Sequence, residues 1–162
     1  AKADMVSETS RKLAIGQMRC LNYYASEILK DYEVHGCTDV TGFSLAGHAL
    51  EMAEGSQVTI KIDTKKIPFL PDVEEYAKMG LVPEGTYRNK EFLREKIKLN
   101  DTIKESFEDL LFDPQTSGGL LVSLKKKDAK EVLKRLQEQE QTRYSKIVGE
   151  VEEKQEVHLI FL

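Results

Sequence analysis

The chain has 162 residues, of which 40% are hydrophobic and 32% charged, with a formal net charge of −4. This length and composition predict one soluble globular domain that is large enough for a real core. The acidic balance argues against nucleic-acid binding, and no apolar run approaches the roughly 20 residues of a membrane span. The first residues, Ala1 to Asp4, show no signal-peptide pattern.

The two cysteines, Cys20 and Cys37, indicate whether the protein works in a reducing or an oxidising compartment. They form no Cys-x-x-Cys motif, and a structural zinc site needs more ligands at closer spacing. We place Cys20 in a helix and Cys37 in a strand. Free cysteines of this kind are typical of a reducing compartment, so we expect a cytoplasmic protein.

The first third of the chain predicts helix, strand, helix and strand in turn. Apolar residues spaced by three and four indicate one long amphipathic helix from Val6 to Tyr32. A β-prone segment at 34–40 follows, and then a helix at 43–54, for which Gly55 is the expected stop. Clean alternation at 57–63 predicts a half-buried strand.

The middle of the chain is less regular than the last third. Prolines and glycines punctuate residues 64–112, which we interpret as an insertion between two halves of a sheet, with Thr86 to Asn89 in a loop. The last third alternates strand and helix again, and its two final strands are expected to pair as a hairpin. The predicted elements are helices at 71–79, 100–111 and 128–139 and strands at 120–124, 146–151 and 157–161.

These elements define the expected fold class. Each half follows a β-α-β plan, and a further strand closes the chain. We therefore expect an α+β domain in which helices pack on a mixed β-sheet, with a ferredoxin-like β-α-β pattern that occurs twice.

The most informative residue is Asp39, which lies between two threonines where the strand at 34–40 ends. Gly42 follows and a helical pattern begins, so the carboxylate is placed at a strand-to-helix corner and faces out of the sheet. Mg²⁺ prefers one or two protein carboxylates together with phosphate oxygens, and such a corner suits this ion. The alternative is that Asp39 caps the helix that begins near Phe43.

A second candidate is the loop Asp113–Gly119. Two adjacent glycines, Gly118 and Gly119, can present successive backbone N–H groups to an anion. The hydroxyls of Thr116 and Ser117 add donors that suit a phosphate. The spacing does not match an ordinary P-loop, and the alternative is a simple turn that leads into the next strand.

Other polar residues give weaker indications. Arg88 has a guanidinium fork that matches phosphate geometry, and its alternative is an ordinary surface residue. His35, Cys37 and Asp39 alternate on one strand face, but steps of about 7 Å separate them, too far for His35 and Asp39 to share one ion easily. We interpret Cys37 as packed and His35 as partly exposed, and we expect His48 to pack or cap.

Four segments, taken together, resemble one known family. They are Cys-Thr-Asp-Val-Thr-Gly-Phe-Ser-Leu-Ala-Gly-His at 37–48, Leu-Phe-Asp-Pro-Gln-Thr-Ser-Gly-Gly-Leu-Leu at 111–121, Val-Pro-Glu-Gly-Thr-Tyr-Arg-Asn at 82–89, and the helix that contains Met18, Leu21 and Asn22. Their order and spacing are similar to the C-terminal domain of selenophosphate synthetase (selenide, water dikinase), a family of the aminoimidazole ribonucleotide synthetase superfamily. The resemblance covers nearly the whole chain.

The resemblance implies an ATP-dependent reaction. Members of the family convert ATP, selenide and water into selenophosphate, AMP and phosphate, with ATP bound between two domains. The aspartate that matches Asp39 helps to hold Mg²⁺ at the ATP phosphates, beside aspartates of the N-terminal domain. Divalent ions are needed there because ATP and several carboxylates repel one another. The resemblance also implies that the loop Asp113–Gly119 lies near the same cleft.

The resemblance further implies that residues 1–162 form the single C-terminal domain of a larger two-domain enzyme. The N-terminal domain of the family carries most ATP contacts and the reactive Cys or selenocysteine with its Lys. Neither Cys20 nor Cys37 has such a setting, so we expect the isolated domain to be inactive. The family's dimer contact is mainly N-terminal, which implies a homodimeric enzyme and a monomeric isolated domain.

Ser44 stands where the family more often has glycine, and we expect it to fit that helix start at little cost.

Two other interpretations stay open. Another ATP-using member of the superfamily, such as the hydrogenase-maturation protein that dehydrates a carbamoyl group or thiamine-monophosphate kinase, has the same fold. The segment Thr-Asp-Val-Thr-Gly-Phe at 38–43 and the later Tyr-Arg-Asn argue against these enzymes. A non-catalytic binding module would also keep the fold, and the presence of Asp39 argues against it.

Overall fold

The computed structural model describes residues 6–162, so the expectation about Ala1 to Asp4 lies outside the described residues. The helices are α1 (Glu8–Arg19), α2 (Tyr23–Leu29), α3 (Ser44–Ser56), α4 (Val73–Lys78), α5 (Glu84–Leu93), α6 (Glu105–Leu111) and α7 (Ala129–Gln137). The strands are β1 (Val34–Asp39), β2 (Val58–Ile62), β3 (Ile97–Leu99), β4 (Leu120–Leu124), β5 (Gly149–Glu153) and β6 (Leu159–Phe161). A short 3₁₀ turn, Thr64–Lys66, follows β2.

A mixed four-stranded sheet is the larger of two sheets, with strand order β3-β6-β2-β5. β6 runs parallel to both of its neighbours, and β5 runs antiparallel to β2 as an edge strand. Ile60 and Ile62 of β2 and both Leu159 and Phe161 of β6 are buried. Central strands that alternate buried residues in this way need a helix layer on the covered face.

A two-stranded antiparallel ribbon of β1 and β4 forms the second sheet, with a bulge between Val34 and Gly36. The two β-α-β segments, β1-α3-β2 and β4-α7-β5, each begin in this ribbon and end in the four-stranded sheet. The predicted class, helices packed on a mixed sheet, is therefore confirmed, while the strands of each β-α-β segment lie in different sheets.

The hydrophobic core lies between α3 and the four-stranded sheet, and α5 and α6 close it. Ala46, Ala49 and Ala53 of α3 are fully buried, and such small side chains let the helix pack close to the sheet. Phe112 and Phe161 are among the largest fully buried side chains. The core cluster consists of Ala46, Ala49, Leu50, Ala53, Ile60, Ile62, Leu93, Ile97, Leu111, Phe112, Leu159 and Phe161.

The prediction of one long N-terminal helix is wrong, because the chain leaves helical geometry at Cys20. Cys20 is extended, with φ −71° and ψ 123°, so it caps α1 and does not lie inside a helix. No residue of α1 is buried, and packing therefore does not extend the helix. The break lets α2 turn and bury Ile28 and Leu29. Tertiary packing thus overrides the continuous periodicity.

The predicted hairpin at the end of the chain is also wrong, because β2 lies between β5 and β6. The connection between them crosses the end of β2 and is fixed there by Thr59. The Thr59 hydroxyl donates to the Val157 carbonyl at 2.7 Å and accepts from the Gln155 N–H at 2.8 Å. Strand β5 begins at Gly149, three residues later than the predicted strand.

Residues 64–112 are an integral part of the fold and not an insertion. β3 lies at one edge of the four-stranded sheet, and Leu93, Leu111 and Phe112 enter the core. A three-residue strand is too short to show alternation, which is why the sequence did not predict it. Residues 86–89, predicted as loop, lie in α5.

The remaining boundaries follow the predictions closely. β1, α3, β2, β4 and α7 are confirmed, although α3 passes through Gly55 and ends where Gln57 adopts a left-handed conformation. Across residues 6–162 no helix combines the length and the apolar character that a membrane crossing requires.

Candidate functional site

Asp39 is the last residue of β1 and lies opposite Leu120 of β4. Exposure alternates along β1, and His35, Cys37 and Asp39 share the exposed face, as predicted. The other face packs on α3, where a side chain at Gly36 would meet Met52 at 3.2 Å. The carboxylate of Asp39 therefore faces away from the core at the end of the ribbon.

Cys37 is exposed, so the prediction that it is packed is wrong. The reason is its position on the uncovered face of the ribbon, two residues from Asp39 along β1. Partial burial, and to a smaller extent the Asp39 charge, raises the pKa of the Cys37 thiol. The thiol is therefore protonated at neutral pH, which makes it a poor nucleophile.

The loop Asp113–Gly119 is bonded directly to the turn that follows Asp39. The Val40 N–H donates to the Gly119 carbonyl at 2.9 Å, and the Gly118 N–H donates to the Val40 carbonyl at 2.9 Å. The Gln115 N–H donates to the Thr41 carbonyl at 3.1 Å. These three bonds bring together the two segments that the sequence selected separately.

Gly118 is required by the packing of this junction. A Cβ at this position would lie 2.2 Å from the Val40 carbonyl oxygen, which no side chain tolerates. Its N–H is already bonded, and its own carbonyl accepts from the Asn22 side chain at 3.3 Å. Gly119, by contrast, has open space where a side chain would be, and Thr116 is exposed beside the half-buried Ser117.

Asn89 of α5 ties the helix to both segments. Its side-chain amide donates to the Gly42 carbonyl at 3.1 Å and to the Phe112 carbonyl at 3.0 Å. The neighbouring Arg88 points elsewhere: it is exposed, and its ion-pair partner is Glu84, one turn earlier, at 3.6 Å. The structure thus places Arg88 on the same helix as Asn89 but not in contact with Asp39 or the loop.

A polar relay behind the turn was missed by the sequence analysis. His48 Nε2 lies 3.0 Å from the Thr41 hydroxyl, and His48 Nδ1 lies 3.1 Å from a Glu51 carboxylate oxygen. One neutral tautomer satisfies both contacts: Nδ1–H donates to Glu51, and Nε2 accepts from the Thr41 hydroxyl. The available signal was the spacing of Thr41, His48 and Glu51, which places His48 and Glu51 one turn apart on α3.

Ser44 begins α3 in a left-handed conformation, with φ 70°, and is fully buried. Its hydroxyl accepts at 3.4 Å from the Gly47 N–H, which also donates to the Phe43 carbonyl at 3.1 Å. The expectation that serine fits this position at little cost is only half right. The hydroxyl has a hydrogen bond, but the backbone conformation is one that glycine adopts freely and other residues adopt at a cost of about 1 kcal/mol or more.

Asp113, at the start of the loop, is partly buried among apolar residues. Burial raises the pKa of its carboxyl group to about 6. Asp113 was predicted as part of the candidate anion-binding loop, but its burial was not, because nothing in its local pattern shows that α4 and α6 would enclose it.

The side chains of the described residues limit which metal ion the site could hold. Among residues 6–162 no group of three or more His, Cys, Asp or Glu residues could hold one. Asp39 offers a hard carboxylate on an exposed strand end, which fits Mg²⁺ as a single protein ligand. Any further ligands must come from phosphate oxygens, water or another part of the polypeptide.

The fold and the motifs match one family. Residues 9–161 match the model of the AIR synthase related protein, C-terminal domain. The chain belongs to this family.

Particular relatives carry a more specific name. Two proteins named "Selenide, water dikinase", from Clostridium botulinum (strain Eklund 17B / Type B) and Caldanaerobacter subterraneus subsp. tengcongensis, are each 46% identical to the chain, over 154 and 156 residues. The matches cover 95% and 96% of this chain and 44% of each relative. The chain therefore spans less than half the length of these curated relatives.

A solved structure shows the same fold at lower similarity. E. coli HypE, a hydrogenase maturation protein, superposes with a TM-score of 0.59 at 18% identity, over 84% of this chain and 35% of that chain. At this level of identity the likeness concerns the fold alone.

Proposed function

We propose that the protein to which this chain belongs is a selenide, water dikinase, and that this domain contributes Asp39 to a Mg²⁺–ATP site. The observation that carries the proposal is the 46% identity to proteins of that name over 95% of the chain. The reaction would convert ATP, selenide and water into selenophosphate, AMP and phosphate. The remaining part of such a protein would supply an N-terminal domain with most ATP contacts.

The position of Asp39 supports a ligand role over a capping role. The first turn of α3 has its hydrogen bonds from other groups: the Ser44 N–H donates to the Thr41 carbonyl at 2.9 Å, and the Ser44 hydroxyl accepts from the Gly47 N–H. Asp39 lies on the exposed face of β1, where its carboxylate is free to take a ligand.

Asp39 would be one ligand among several. When bound, Mg²⁺ would neutralise phosphate charge and orient the phosphoryl groups. The role of the chain is to hold this carboxylate still, and the three hydrogen bonds between residues 40–41 and the loop Asp113–Gly119 provide that rigidity.

The loop Asp113–Gly119 is the proposed phosphate contact. Thr116, Ser117 and Gly119 are at least partly accessible, while Gly118 would act through the shape of the loop. Arg88 would join them only after leaving Glu84. That pair is exposed at both ends, and such pairs contribute about 0–1 kcal/mol, so its release would be easy.

We also propose that the isolated domain is monomeric and inactive, that the full-length enzyme is a homodimer through its N-terminal part, and that it works in the cytoplasm. Both cysteines, Cys20 and Cys37, are free thiols, which supports a reducing compartment. Sedimentation of the 162-residue chain tests the monomer, and a dimer whose mass is independent of concentration would contradict it.

The experiment that tests the proposed function measures selenide-dependent AMP release from ATP by the full-length protein. Asp39→Asn should lose most of this activity and remain folded. Asp101→Asn, an exposed aspartate in the turn after β3, is the matched control and should remain active.

Two results would contradict the proposal in different ways. If the wild type releases only ADP, or is indifferent to selenide, the reaction is wrong. If Asp39→Asn is as active as Asp101→Asn, the reaction stands and Asp39 has no ligand role.

A further inference from the structure

An apolar cavity lies between α4 and α6, beside the start of the loop Asp113–Gly119. Its volume is about 130 Å³. Its wall is formed mainly by Val73, Ala77, Leu81 and Leu110, and Asp113 also contributes to it. Of the other wall residues, only Tyr76 carries a polar side-chain group.

The carboxylate of Asp113 has no partner of its own. Throughout residues 6–162 no hydrogen bond or ion pair to this carboxylate is formed, and its oxygens keep some contact with solvent. Burial alone raises its pKa, to about 6, so at neutral pH the group is ionised in apolar surroundings. A partly buried charge of this kind is stabilised further by an opposite charge brought beside it.

The size of the cavity limits what can enter. An apolar protein cavity of about 150 Å³ accommodates a molecule as large as benzene, so about 130 Å³ accommodates a short aliphatic chain. The wall has few polar groups with which to recognise further functional groups of a metabolite. A lysine side chain fits both limits, since it carries a single ammonium group on a four-carbon stem.

We propose that this cavity is a binding site for a lysine side chain from a segment outside the 162-residue chain, whose ammonium group pairs with Asp113 while its stem packs against Leu81 and Leu110. The relatives that the chain matches are more than twice its length, so a full-length protein has additional segments that could supply this side chain. Such binding would be independent of the reaction that the full-length protein catalyses.

The test uses the 162-residue chain and a soluble lysine analogue, Nα-acetyl-lysine N-methylamide, added at pH 7.5 and constant ionic strength. Two-dimensional ¹H–¹⁵N NMR should show saturable shifts at Ala77, Leu81, Val82 and Leu110. The Nε-acetylated analogue, which has the same stem without the charge, should bind at least tenfold more weakly. A third probe, n-butylammonium, distinguishes a small alkylamine from a side chain.

Variants connect the binding to the cavity. Asp113→Asn should weaken binding of the lysine analogue at least tenfold, whereas Asp101→Asn should leave it unchanged. Ala77→Leu should fill the cavity and abolish binding, with spectral dispersion as the check that the variant is folded.

Several results would overturn the proposal: no saturable shifts, equal binding of the two lysine analogues, unchanged binding by Asp113→Asn, or unchanged binding by a folded Ala77→Leu. Binding of n-butylammonium without binding of the lysine analogue would also overturn it, because the ligand would then be a small alkylamine.

Discussion

Two regions of the molecule differ in how they are held together. The sheet region, which consists of the four-stranded sheet with α3, α5 and α6, contains the whole core cluster. The ribbon region, which consists of β1 and β4 with α1, α2 and α7, buries few apolar side chains, mainly Ile28, Leu29 and Val132. The candidate residues Asp39, Thr116 and Ser117 lie in the ribbon region or in the loop that joins it.

The difference shows how an exposed site can be rigid without a core of its own. A two-stranded ribbon is marginally stable in isolation. Here its end is fixed by backbone hydrogen bonds to the loop Asp113–Gly119 and by the side chains of Asn22 and Asn89. Polar bonds hold the geometry of the site, while apolar burial in the sheet region supplies most of the free energy of unfolding.

The largest expected effect concerns the sheet region. Phe161→Ala should lower the free energy of unfolding by about 3–5 kcal/mol, because it leaves a cavity where a fully buried ring packs. Urea denaturation followed by circular dichroism measures it. Phe92→Ala is the matched control: Phe92 is 65% exposed, and its loss should change stability by less than about 0.5 kcal/mol. Equal losses for the two variants would remove the contrast between core and surface.

The second prediction concerns the junction of the ribbon with the loop. Gly118→Ala should destabilise the protein by about 1–3 kcal/mol, because its Cβ would collide with the Val40 carbonyl oxygen. Gly119→Ala should have almost no effect, since nothing lies near its Cβ. Hydrogen exchange at the amides of Val40 and Gly118 locates the damage. If exchange accelerates throughout the four-stranded sheet as well, the two regions do not behave separately.

The third prediction uses the raised pKa of Asp113. Because the folded pKa is about 6 and the ordinary value is 3.8, the folded state holds its proton more tightly. This residue's contribution to stability is therefore greatest below about pH 4 and falls as the pH rises to about 6. After allowance for solvent screening, the ionised group costs about 1–2 kcal/mol at pH 7.

Asp113→Asn should remove that cost. The variant should be more stable than the wild type by about 1–2 kcal/mol at pH 7 and equally stable at pH 4, as measured by urea denaturation at both values. A difference between variant and wild type that is constant with pH would show that the carboxyl group titrates normally.

The smallest expected effect is a gain in stability, whereas a core defect causes a loss. The hydroxyl of Thr86 in α5 is buried without a hydrogen-bond partner in the described part of the chain. Thr86→Val keeps the shape of the side chain and removes the unsatisfied hydroxyl, so it should raise the free energy of unfolding by about 1 kcal/mol. Thr86→Ser, which keeps the hydroxyl and loses the methyl group, should instead be destabilising. Destabilisation by Thr86→Val would show that the hydroxyl has a hydrogen-bond partner.

Periodicity predicted the elements whose packing is regular. Helices α3 and α7 show clear patterns because one face of each is covered, and strand β2 does so because its apolar residues alternate with Thr59 and Lys61. Helix α5 was missed because residues 84–91 are mostly polar. Besides Leu93 in the core, its contacts include the fit of Gly85 against Pro114, where a Cβ would lie 2.9 Å from the ring, and the hydrogen bonds of Asn89. Such contacts depend on residues far along the chain and leave no local pattern.

The candidate site, like the fold, could be predicted from the sequence only in part. Asp39 and the loop could be selected by residue type and spacing, because carboxylates, hydroxyls and glycines have recognisable chemistry. Their junction depends on the pairing of β1 with β4, about eighty residues apart, which local patterns do not specify. The relay of Thr41, His48 and Glu51 had a readable helical spacing, but spacing alone does not show that His48 is enclosed.

The acidic edge strand β5 has a consequence for the behaviour of the protein at high concentration. Its five residues include Glu150, Glu152 and Glu153, on a sheet edge that presents unpaired backbone groups. Two such edges repel each other while the glutamates are charged, which discourages the strand-to-strand contacts that lead to fibrils. Salt screens charge repulsion of this kind, so concentrated solutions at high ionic strength would have a route to self-association that low ionic strength keeps closed.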